Sequence, residues 1–390
     1  MSVLSGDLAG ELEWCMLKRL CATPISDATE RWIEDWLSPL ISGRADSMTL
    51  VNMAIRQKMA GALATLIELT DKRDLFYPQV REFLRTNLNA NRVRNRVLTS
   101  KAMEVAGKLQ EGGLPALATK GVVLQYLVYN GDGSRRLSDI DFMIHPQNKH
   151  AATSALLDLG FEFGTYDRYN HRINPLSREN ELIYRMYPDH LPHAVKMRDD
   201  ALVPFVMVDV AFSLTWFQSP WQVDMGRALA DPMTVLPEEN FACAQGFQGT
   251  ISSLSSPFLW LFTVLHLFRE TWIAREALQG GSTLAQYRDV IQLWKIMTPE
   301  SKSEARRIMK DSRTVFPVQW IYEHTDKMFG TTICDDLDIG DPLPQHLLDT
   351  GLGPSDTVLT WCDTLEHRLF SGRAAEFVPS GTIRLEDLAW

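Results

Sequence analysis

Two aspartates separated by one residue stand at the start of an apolar run. Asp139 and Asp141 flank Ile140 in the sequence RRLSDIDFMI, residues 135–144. Because alternate side chains of a β-strand point to the same face, the two carboxylates would lie side by side. Neighbouring carboxylates repel each other, and a divalent cation that accepts oxygen ligands, such as Mg²⁺ or Mn²⁺, removes the repulsion. The pair therefore predicts a metal site, or it marks the point at which a buried strand leaves solvent.

A third aspartate lies within another apolar run. The sequence PFVMVDVAFSL, residues 204–214, is typical of a strand that is apolar on both faces except for Asp209. An isolated carboxylate in such a strand is unfavourable unless it pairs with a cation or binds a metal. One interpretation is a salt bridge to a buried arginine. The other is that Asp209 joins Asp139 and Asp141, so that three carboxylates hold two Mg²⁺ ions for in-line attack on a phosphoryl group.

Lys120 and Gly121 end a short predicted strand, LPALATKG, and an apolar helix, VVLQYLVY, is predicted to follow. Free backbone N–H groups at a helix N-terminus and the lysine charge both suit a phosphate group. Arg135 and Arg136 precede the acidic pair and could clamp phosphate oxygens or balance the carboxylates. For Arg135 the two roles are weighed equally, whereas for Arg136 the balancing role is favoured.

The composition of the chain indicates in which cellular compartment we expect the protein and which classes of partner are disfavoured. The chain has 390 residues and a net charge of −10, which argues against a broad grip on nucleic acid or on an acidic membrane. Its five cysteines are scattered without a Cys-x-x-Cys pair, so neither a zinc site nor a disulfide framework is indicated. No signal peptide is recognisable, and the apolar sequence FLWLFTVLHLF is too short to span a bilayer. We therefore expect a cytoplasmic protein that does not bind membranes.

The order of predicted elements indicates an α+β fold. We expect a helical region over residues 1–112, a core of alternating strands and helices over 113–220, a second helical region over 221–370, and a peripheral tail over 371–390. A small mixed β-sheet would thus be flanked by helices from both ends of the chain. The acidic sequence CDDLDIGD, residues 334–341, lacks the spacing of a calcium loop and is interpreted as a turn.

The chain resembles a known family over the residues that carry these signals. The sequence ALATKGVVLQYLVYNGDGSRRLSDIDFMIHPQNKHAATSALLDLGFE resembles the core of the uncharacterised nucleotidyltransferase family within the DNA polymerase β-like superfamily. That family has a Leu-Lys-Gly turn, an apolar helix, a loop ending in arginine, and then Asp-x-Asp before a helix that closes at Gly-Phe. The resemblance covers roughly residues 115–215. It implies that Asp139 and Asp141 bind metal and that Asp209 is the third carboxylate, with Lys120, Gly121 and Arg135 at family positions.

Two positions depart from the pattern of these relatives. The wider superfamily has Gly-Ser or Gly-Gly where this chain has Gly121-Val122, so a serine contact to the nucleotide phosphate is missing. The family often has Asp-Leu-His where this chain has Asp209-Val210-Ala211. A role for a histidine directly after the third carboxylate is therefore not expected.

Three other histidines deserve consideration. The sequence HLPHAV resembles the histidine-proline segment that precedes the third strand of the family, which makes His190 and His193 candidate site residues. The alternative, that both are structural, is kept open. His266 and Glu270 share one face of a predicted helix, four residues apart, and are interpreted as a polar seam in a buried helix.

These signals predict a metal-dependent nucleotidyltransferase that transfers an NMP group from an NTP to a hydroxyl or phosphate acceptor and releases pyrophosphate. The acidic net charge favours a small molecule, a peptide or a protein as acceptor over long nucleic acid. Three alternatives remain: a toxin-like nucleotidyltransferase that modifies tRNA or protein, a glycosyltransferase that binds a nucleotide sugar through Mn²⁺, and a non-catalytic scaffold on a decayed transferase core. Glycosyltransferases usually place the apolar strand before the acidic pair, whereas here it follows.

Overall fold

The computed structural model describes residues 10–70, 72–186, 189–235, 250–279, 281–372, 376–380 and 383–388. Helices occupy both terminal regions of the chain, and a mixed β-sheet is built mainly from the residues between them. The predicted α+β fold class is therefore confirmed. The boundaries of the four predicted regions stay a prediction.

The N-terminal region is helical, as its apolar spacing predicts. Side chains define several helix starts: Thr29 accepts a hydrogen bond from the Trp32 N–H at 3.2 Å, and Asp46 accepts one from the Thr49 N–H at 2.7 Å. The helices are α1 (Glu11–Ala22), α2 (Glu30–Ile41), α3 (Ser47–Arg56), α4 (Ala60–Glu68) and α5 (Pro78–Glu111).

The central region alternates strands and helices. Its elements are β1 (Leu117–Thr119), α6 (Lys120–Leu127), β2 (Ile140–Met143), α7 (Lys149–Asp158), β3 (Glu162–Asp167), β4 (Arg172–Pro175), α8 (Arg178–Met186), β5 (Ala194–Met197) and β6 (Phe205–Ala211). The strands predicted around residues 117, 141 and 208 are all present. The hairpin partner β4 and the strand β5 were not predicted.

The C-terminal region contains strands as well as helices. The helices are α9 (Met225–Ala230), α10 (Ser256–Trp272), α11 (Ala274–Leu278), α12 (Leu284–Ile296), α13 (Pro299–Asp311), α14 (Val315–Phe329), α15 (Ile333–Leu337), α16 (Gln345–Leu348) and α17 (Leu365–Ser371). The strands are β7 (Met233–Val235), β8 (Ile251–Ser253), β9 (Thr350–Leu352), β10 (Val358–Trp361) and β11 (Phe377–Pro379). Strands of three or four residues are too short to reveal a period of two, so the sequence pattern indicates only the helices.

The acidic sequence predicted to be a turn is partly helical, so that prediction is wrong for its first half. Helix α15 includes residues 334–337, and Asp338 ends it in a left-handed conformation with φ 53°. The Asp326 carboxylate accepts hydrogen bonds from the Ile333 and Cys334 N–H groups at 3.0 and 2.8 Å. A side chain from the preceding helix thus supplies the cap that the local sequence lacks.

The main sheet has the strand order β4-β3-β5-β6-β2-β1-β8-β7. Its central pair, β6 and β2, is parallel, whereas β2 is antiparallel to β1. Strand β8, from the C-terminal region, adds to β1 in parallel through a pairing of Ser253 with Ala118. The sheet is therefore larger than predicted. A second, three-stranded sheet has the order β11-β10-β9.

One hydrophobic cluster connects the three regions. It includes Trp14 of α1, Phe142 of β2 and Trp320 of α14. Helix α10 carries the apolar sequence noted above and is buried on nearly all sides, which explains its lack of a polar face. Among the described residues, no helix combines the length and the apolar character that crossing a bilayer requires.

Candidate active site

The register of the two central strands brings the predicted carboxylates together. Asp141 of β2 lies directly opposite Asp209 of β6 in the parallel pair. Residues opposite each other on neighbouring strands project to the same face, about 5 Å apart. Asp139 directly precedes β2, and all three aspartates line one cavity of about 970 Å³.

Lys120 lies among these carboxylates. Its ammonium donates a hydrogen bond of 2.9 Å to Asp141 Oδ1 and lies 5.2 Å from the centre of the Phe262 ring. The backbone of Lys120 has φ 45°, in the left-handed region that a non-glycine residue occupies at a cost of about 1–3 kcal/mol. This conformation ends β1 and begins α6 within one residue, so the lysine stands at the strand–helix junction that the sequence predicts.

The carboxylates differ in their electrostatics. Burial raises the pKa of Asp141 to about 7; the ion pair with Lys120 opposes the rise, and the charges of Asp139 and Asp209 add to it. Burial also disfavours the charge of Asp209, but the nearby His190 ring and its charge, together with Lys120, hold the pKa of Asp209 below its ordinary value. The cluster therefore contains more carboxylates than cations, and a bound cation would stabilise their charged forms.

Both candidate histidines lie beside Asp209. His190 Nδ1 is 3.4 Å from Asp209 Oδ1 and 2.7 Å from the Leu191 carbonyl oxygen. The rings of His190 and His193 stack with their centres 5.9 Å apart. Across the described part of the chain, these two histidines and Asp209 form the group of three whose potential ligand atoms lie within 4.8 Å of one another. Although burial opposes its charge, Asp209 raises the pKa of His190.

Backbone pairing outside the predicted strands holds His190 beside Asp209. The Leu191 N–H donates to the Val210 carbonyl at 2.8 Å, and His190 forms an isolated antiparallel bridge with Ala211. The segment before β5 is thus fixed against the end of β6. Asp209 has a histidine neighbour even though the residue two positions after it is an alanine.

Arg135 has a different partner from those predicted. Its guanidinium binds the Asp289 carboxylate of α12 with two donors, at 3.0 Å from Nε and 2.8 Å from Nη2. The Tyr129 hydroxyl donates to the same carboxylate at 2.7 Å. Arg135 therefore neutralises a carboxylate from the C-terminal region rather than the aspartates that follow it in sequence.

Gly121 permits the close approach of Arg135 to α6. A Cβ atom at this position would lie 3.0 Å from Arg135 Nη1 and 3.0 Å from Leu137 Cδ2. Arg136, by contrast, is exposed at the cavity, and no described carboxylate lies within ion-pair distance of it. Arg135 is therefore the arginine with a carboxylate partner, and Arg136 is the one exposed at the cavity.

Residues of both helical regions complete the cavity. His266, Arg269 and Glu270 of α10 line it and are the polar interruptions of an otherwise apolar helix. Burial and the charges of Lys120 and Arg269 lower the pKa of His266 well below its ordinary value, so the ring is neutral. His266 and Glu270 were predicted only as a polar seam, and no role was predicted for Arg269. Their position in a long, largely buried apolar helix was the available signal for a site role.

Comparison with protein families identifies the chain. Residues 44–294 match the model of an uncharacterised nucleotidyltransferase family, which is more than half of the chain. The protein belongs to this family. No curated protein and no solved structure matches it.

The extent of the nucleotidyltransferase match agrees with the walls of the cavity. It begins just before α3 and ends within α12, so it is wider than the resemblance seen over residues 115–215. The additional residues include α4 and α5, which contribute Gly61 and Asn91, and α12, which contributes Arg288 and Asp289. Helices α4, α5 and most of α12 are therefore part of the family's unit rather than additions to it.

Proposed function

We propose that this protein is a metal-dependent nucleotidyltransferase that transfers an NMP group from an NTP to a hydroxyl or phosphate acceptor, with release of pyrophosphate. One observation supports this most directly. Asp141 and Asp209 lie opposite each other, with Lys120 bound to Asp141, at the wall of a cavity of about 970 Å³. Membership of a nucleotidyltransferase family agrees with it.

The three aspartates offer the oxygen ligands that Mg²⁺ or Mn²⁺ prefers, which supports the proposed metal. Asp139, Asp141 and Asp209 offer oxygen ligands, and Asp209 Oδ1 is buried without a hydrogen-bond partner among the described residues. An unsatisfied buried carboxylate oxygen is the type of group that a hard cation compensates. When bound there, the metal would neutralise phosphate charge and orient the leaving group.

The side chains have distinct roles in the proposed reaction. Lys120 binds phosphate oxygens as a point charge once a metal shares its carboxylate partners. Asp209, held ionised beside His190, accepts the proton of the acceptor hydroxyl as the acceptor oxygen bonds to the α-phosphorus. The bond from that phosphorus to the bridging oxygen breaks, and pyrophosphate leaves. A phosphate acceptor would attack without this proton transfer.

The nature of the acceptor divides two versions of the proposal. A net charge of −10 favours a small molecule, a peptide or a protein. Basic residues near the cavity favour the tRNA alternative instead. Arg136 and Arg168 are exposed at the cavity, and burial together with their charges lowers the pKa of Arg94. Because the rest of the chain is acidic, we favour the first version.

The test is calorimetric binding of each of the four NTPs with Mg²⁺. We expect one NTP to bind the wild type and to lose metal-dependent binding in Asp139→Ala/Asp141→Ala. The variant Glu104→Ala/Glu111→Ala removes two exposed carboxylates of α5 outside the cavity and should bind as the wild type does. If no NTP binds the folded wild type, the proposal fails and the decayed-core alternative gains support.

A further inference from the structure

Arg288 of α12 is a buried cation in the wall of the cavity. Only 4% of the residue is exposed, yet it lines the same cavity as the three aspartates. Its guanidinium lies 4.6 Å from the centre of the Tyr129 ring, and Nη1 lies 3.5 Å from Ser134 Oγ, at the limit of a hydrogen bond. Its Nε is buried without a hydrogen-bond partner in the described part of the chain.

The neighbouring carboxylate does not neutralise Arg288. Asp289 receives two donors from Arg135 and a third from the Tyr129 hydroxyl. The Arg135 guanidinium neutralises the Asp289 carboxylate, and the charge of Arg288 remains as one net positive charge at this part of the wall. An arginine side chain does not lose its proton in proteins, so burial cannot make it neutral. A buried charge without a partner is unfavourable, and an anion that enters the cavity would supply the missing partner.

The position of Arg288 relates it to the predicted phosphate site. Arg135 lies against Gly121, and Arg288 lies beside the same Asp289 that holds Arg135. The wall thus continues from the lysine–glycine junction to Arg288 and Ser134. Val122, which follows Gly121, is fully buried and offers no hydroxyl to a phosphate. A planar guanidinium matches phosphate oxygens with two parallel donors, which an isolated hydroxyl cannot do.

We propose that Arg288, assisted by the Ser134 hydroxyl, binds the distal phosphate groups of the nucleoside triphosphate, the groups that leave as pyrophosphate. This inference rests on the proposed function and deepens it, because it assigns the ligand class at the end of the cavity formed by α12. It also provides a phosphate contact in place of the serine that is absent after Gly121.

The test compares Arg288→Met and Arg288→Lys with the wild type in calorimetric binding of inorganic tripolyphosphate, and of the four NTPs and NMPs, all with Mg²⁺. We expect Arg288→Met to weaken binding of tripolyphosphate and of the NTP at least tenfold, and Arg288→Lys to weaken it less. Binding of the corresponding NMP should not change, because an NMP lacks the distal phosphates.

Arg368→Met is the matched control. Arg368 also stacks on an aromatic ring, with its guanidinium 4.1 Å from the centre of the Trp361 ring, and its Nε also lacks a partner among the described residues. It does not line the cavity, so its variant should bind all ligands as the wild type does. Thermal unfolding of each variant separates a loss of binding from a loss of fold.

The outcomes distinguish this inference from the proposed function. If Arg288→Met is folded and binds NTP and tripolyphosphate with wild-type affinity, the inference is wrong while the proposed function stands. If tripolyphosphate does not bind the wild type, the inference is also wrong. If no NTP binds but tripolyphosphate binds and is lost in Arg288→Met, the anion site is supported and the nucleotidyltransferase proposal fails.

Discussion

Two buried ion pairs lie in the same cavity wall and differ in how completely their charges are matched. Lys120 binds Asp141 at 2.9 Å, and Arg135 binds Asp289 at 2.8 Å. Their side chains are similarly buried, with exposed fractions of 18% and 10% for the first pair and 19% and 6% for the second. Burial therefore does not separate the two pairs.

The surrounding groups do separate the two pairs. Around Lys120 the carboxylates outnumber the cation, and one oxygen of Asp209 has no hydrogen bond from a described residue. Around Asp289 the carboxylate is fully occupied, and the excess charge is the positive charge of Arg288. One end of the wall thus lacks a cation and the other lacks an anion. A metal ion with a nucleoside triphosphate carries both, which is why the contrast favours that ligand.

The largest effect is expected from removing a carboxylate near Lys120, at the end of the cavity wall where carboxylates outnumber the cation. Asp141→Asn keeps the shape of the side chain but removes the charge that holds the metal, so we expect nucleotidyl transfer to fall at least about 10³-fold. The measurement is pyrophosphate release with the NTP that binds the wild type. Urea denaturation should show little loss of stability, because the variant also removes a buried carboxyl group whose pKa is raised to about 7. Wild-type turnover in this variant would contradict the assigned role.

Breaking the fully matched pair of Arg135 and Asp289 should reduce the stability of the protein rather than its activity. Asp289→Ala leaves Arg135 buried without its carboxylate, so we expect the free energy of unfolding to fall by about 3–5 kcal/mol. Urea denaturation measures this. Asp74→Ala breaks an exposed ion pair, in which Asp74 is 92% exposed, and should change stability by less than about 1 kcal/mol. Similar losses in both variants would remove the distinction between the two pairs.

A histidine that does not line the cavity tests whether the buried core contributes to the loss of folding stability at acidic pH. His324 is buried against Trp320, and burial lowers its pKa to about 3. The unfolded chain therefore binds a proton first as pH falls below about 6.5, and stability that is present at neutral pH is lost on acidification. At pH 5 the loss from this residue is about 2 kcal/mol.

The measurement is urea denaturation of the wild type and of His324→Gln at pH 7.5 and pH 5. Glutamine can still donate to the Leu348 carbonyl, 3.1 Å from His324 Nε2 in the wild type. We expect the stability lost between the two pH values to be smaller in the variant by about 2 kcal/mol. Equal losses would mean that the acid sensitivity arises elsewhere, for example at His266 in the cavity.

The smallest effect is expected at Gly121, which follows Lys120 in sequence and lies against Arg135. Gly121→Ala places a Cβ atom 3.0 Å from Arg135 Nη1, which the bond to Asp289 prevents from moving freely. We expect a loss of about 1 kcal/mol in the free energy of unfolding. Gly107→Ala in α5 meets no atom within 4 Å and should be neutral or stabilising, because alanine favours helix. A stabilising Gly121→Ala would show that Arg135 is not held in place.

Much of the site was predictable because its signals are local. The alternation of Asp139 and Asp141 around Ile140 follows from strand geometry, and the Lys120–Gly121 junction follows from a change in apolar period. Helix boundaries with side-chain caps, such as that at Thr29, depend on contacts within three residues. These features required no knowledge of distant segments. In the structure Asp141 lies in β2 with Asp139 directly before it, and Lys120 lies at the junction of β1 and α6.

Only the tertiary structure determined the partners of these residues. The pairing of Arg135 with Asp289 joins positions 154 residues apart, and β8 adds to β1 although neither strand is long enough to have a recognisable period. His190 reaches Asp209 through backbone pairing at the end of β6. The physical reason is that ion pairing and cavity closure depend on which distant apolar faces pack together. That packing is decided by the sum of burial over the whole chain, and no single motif records it.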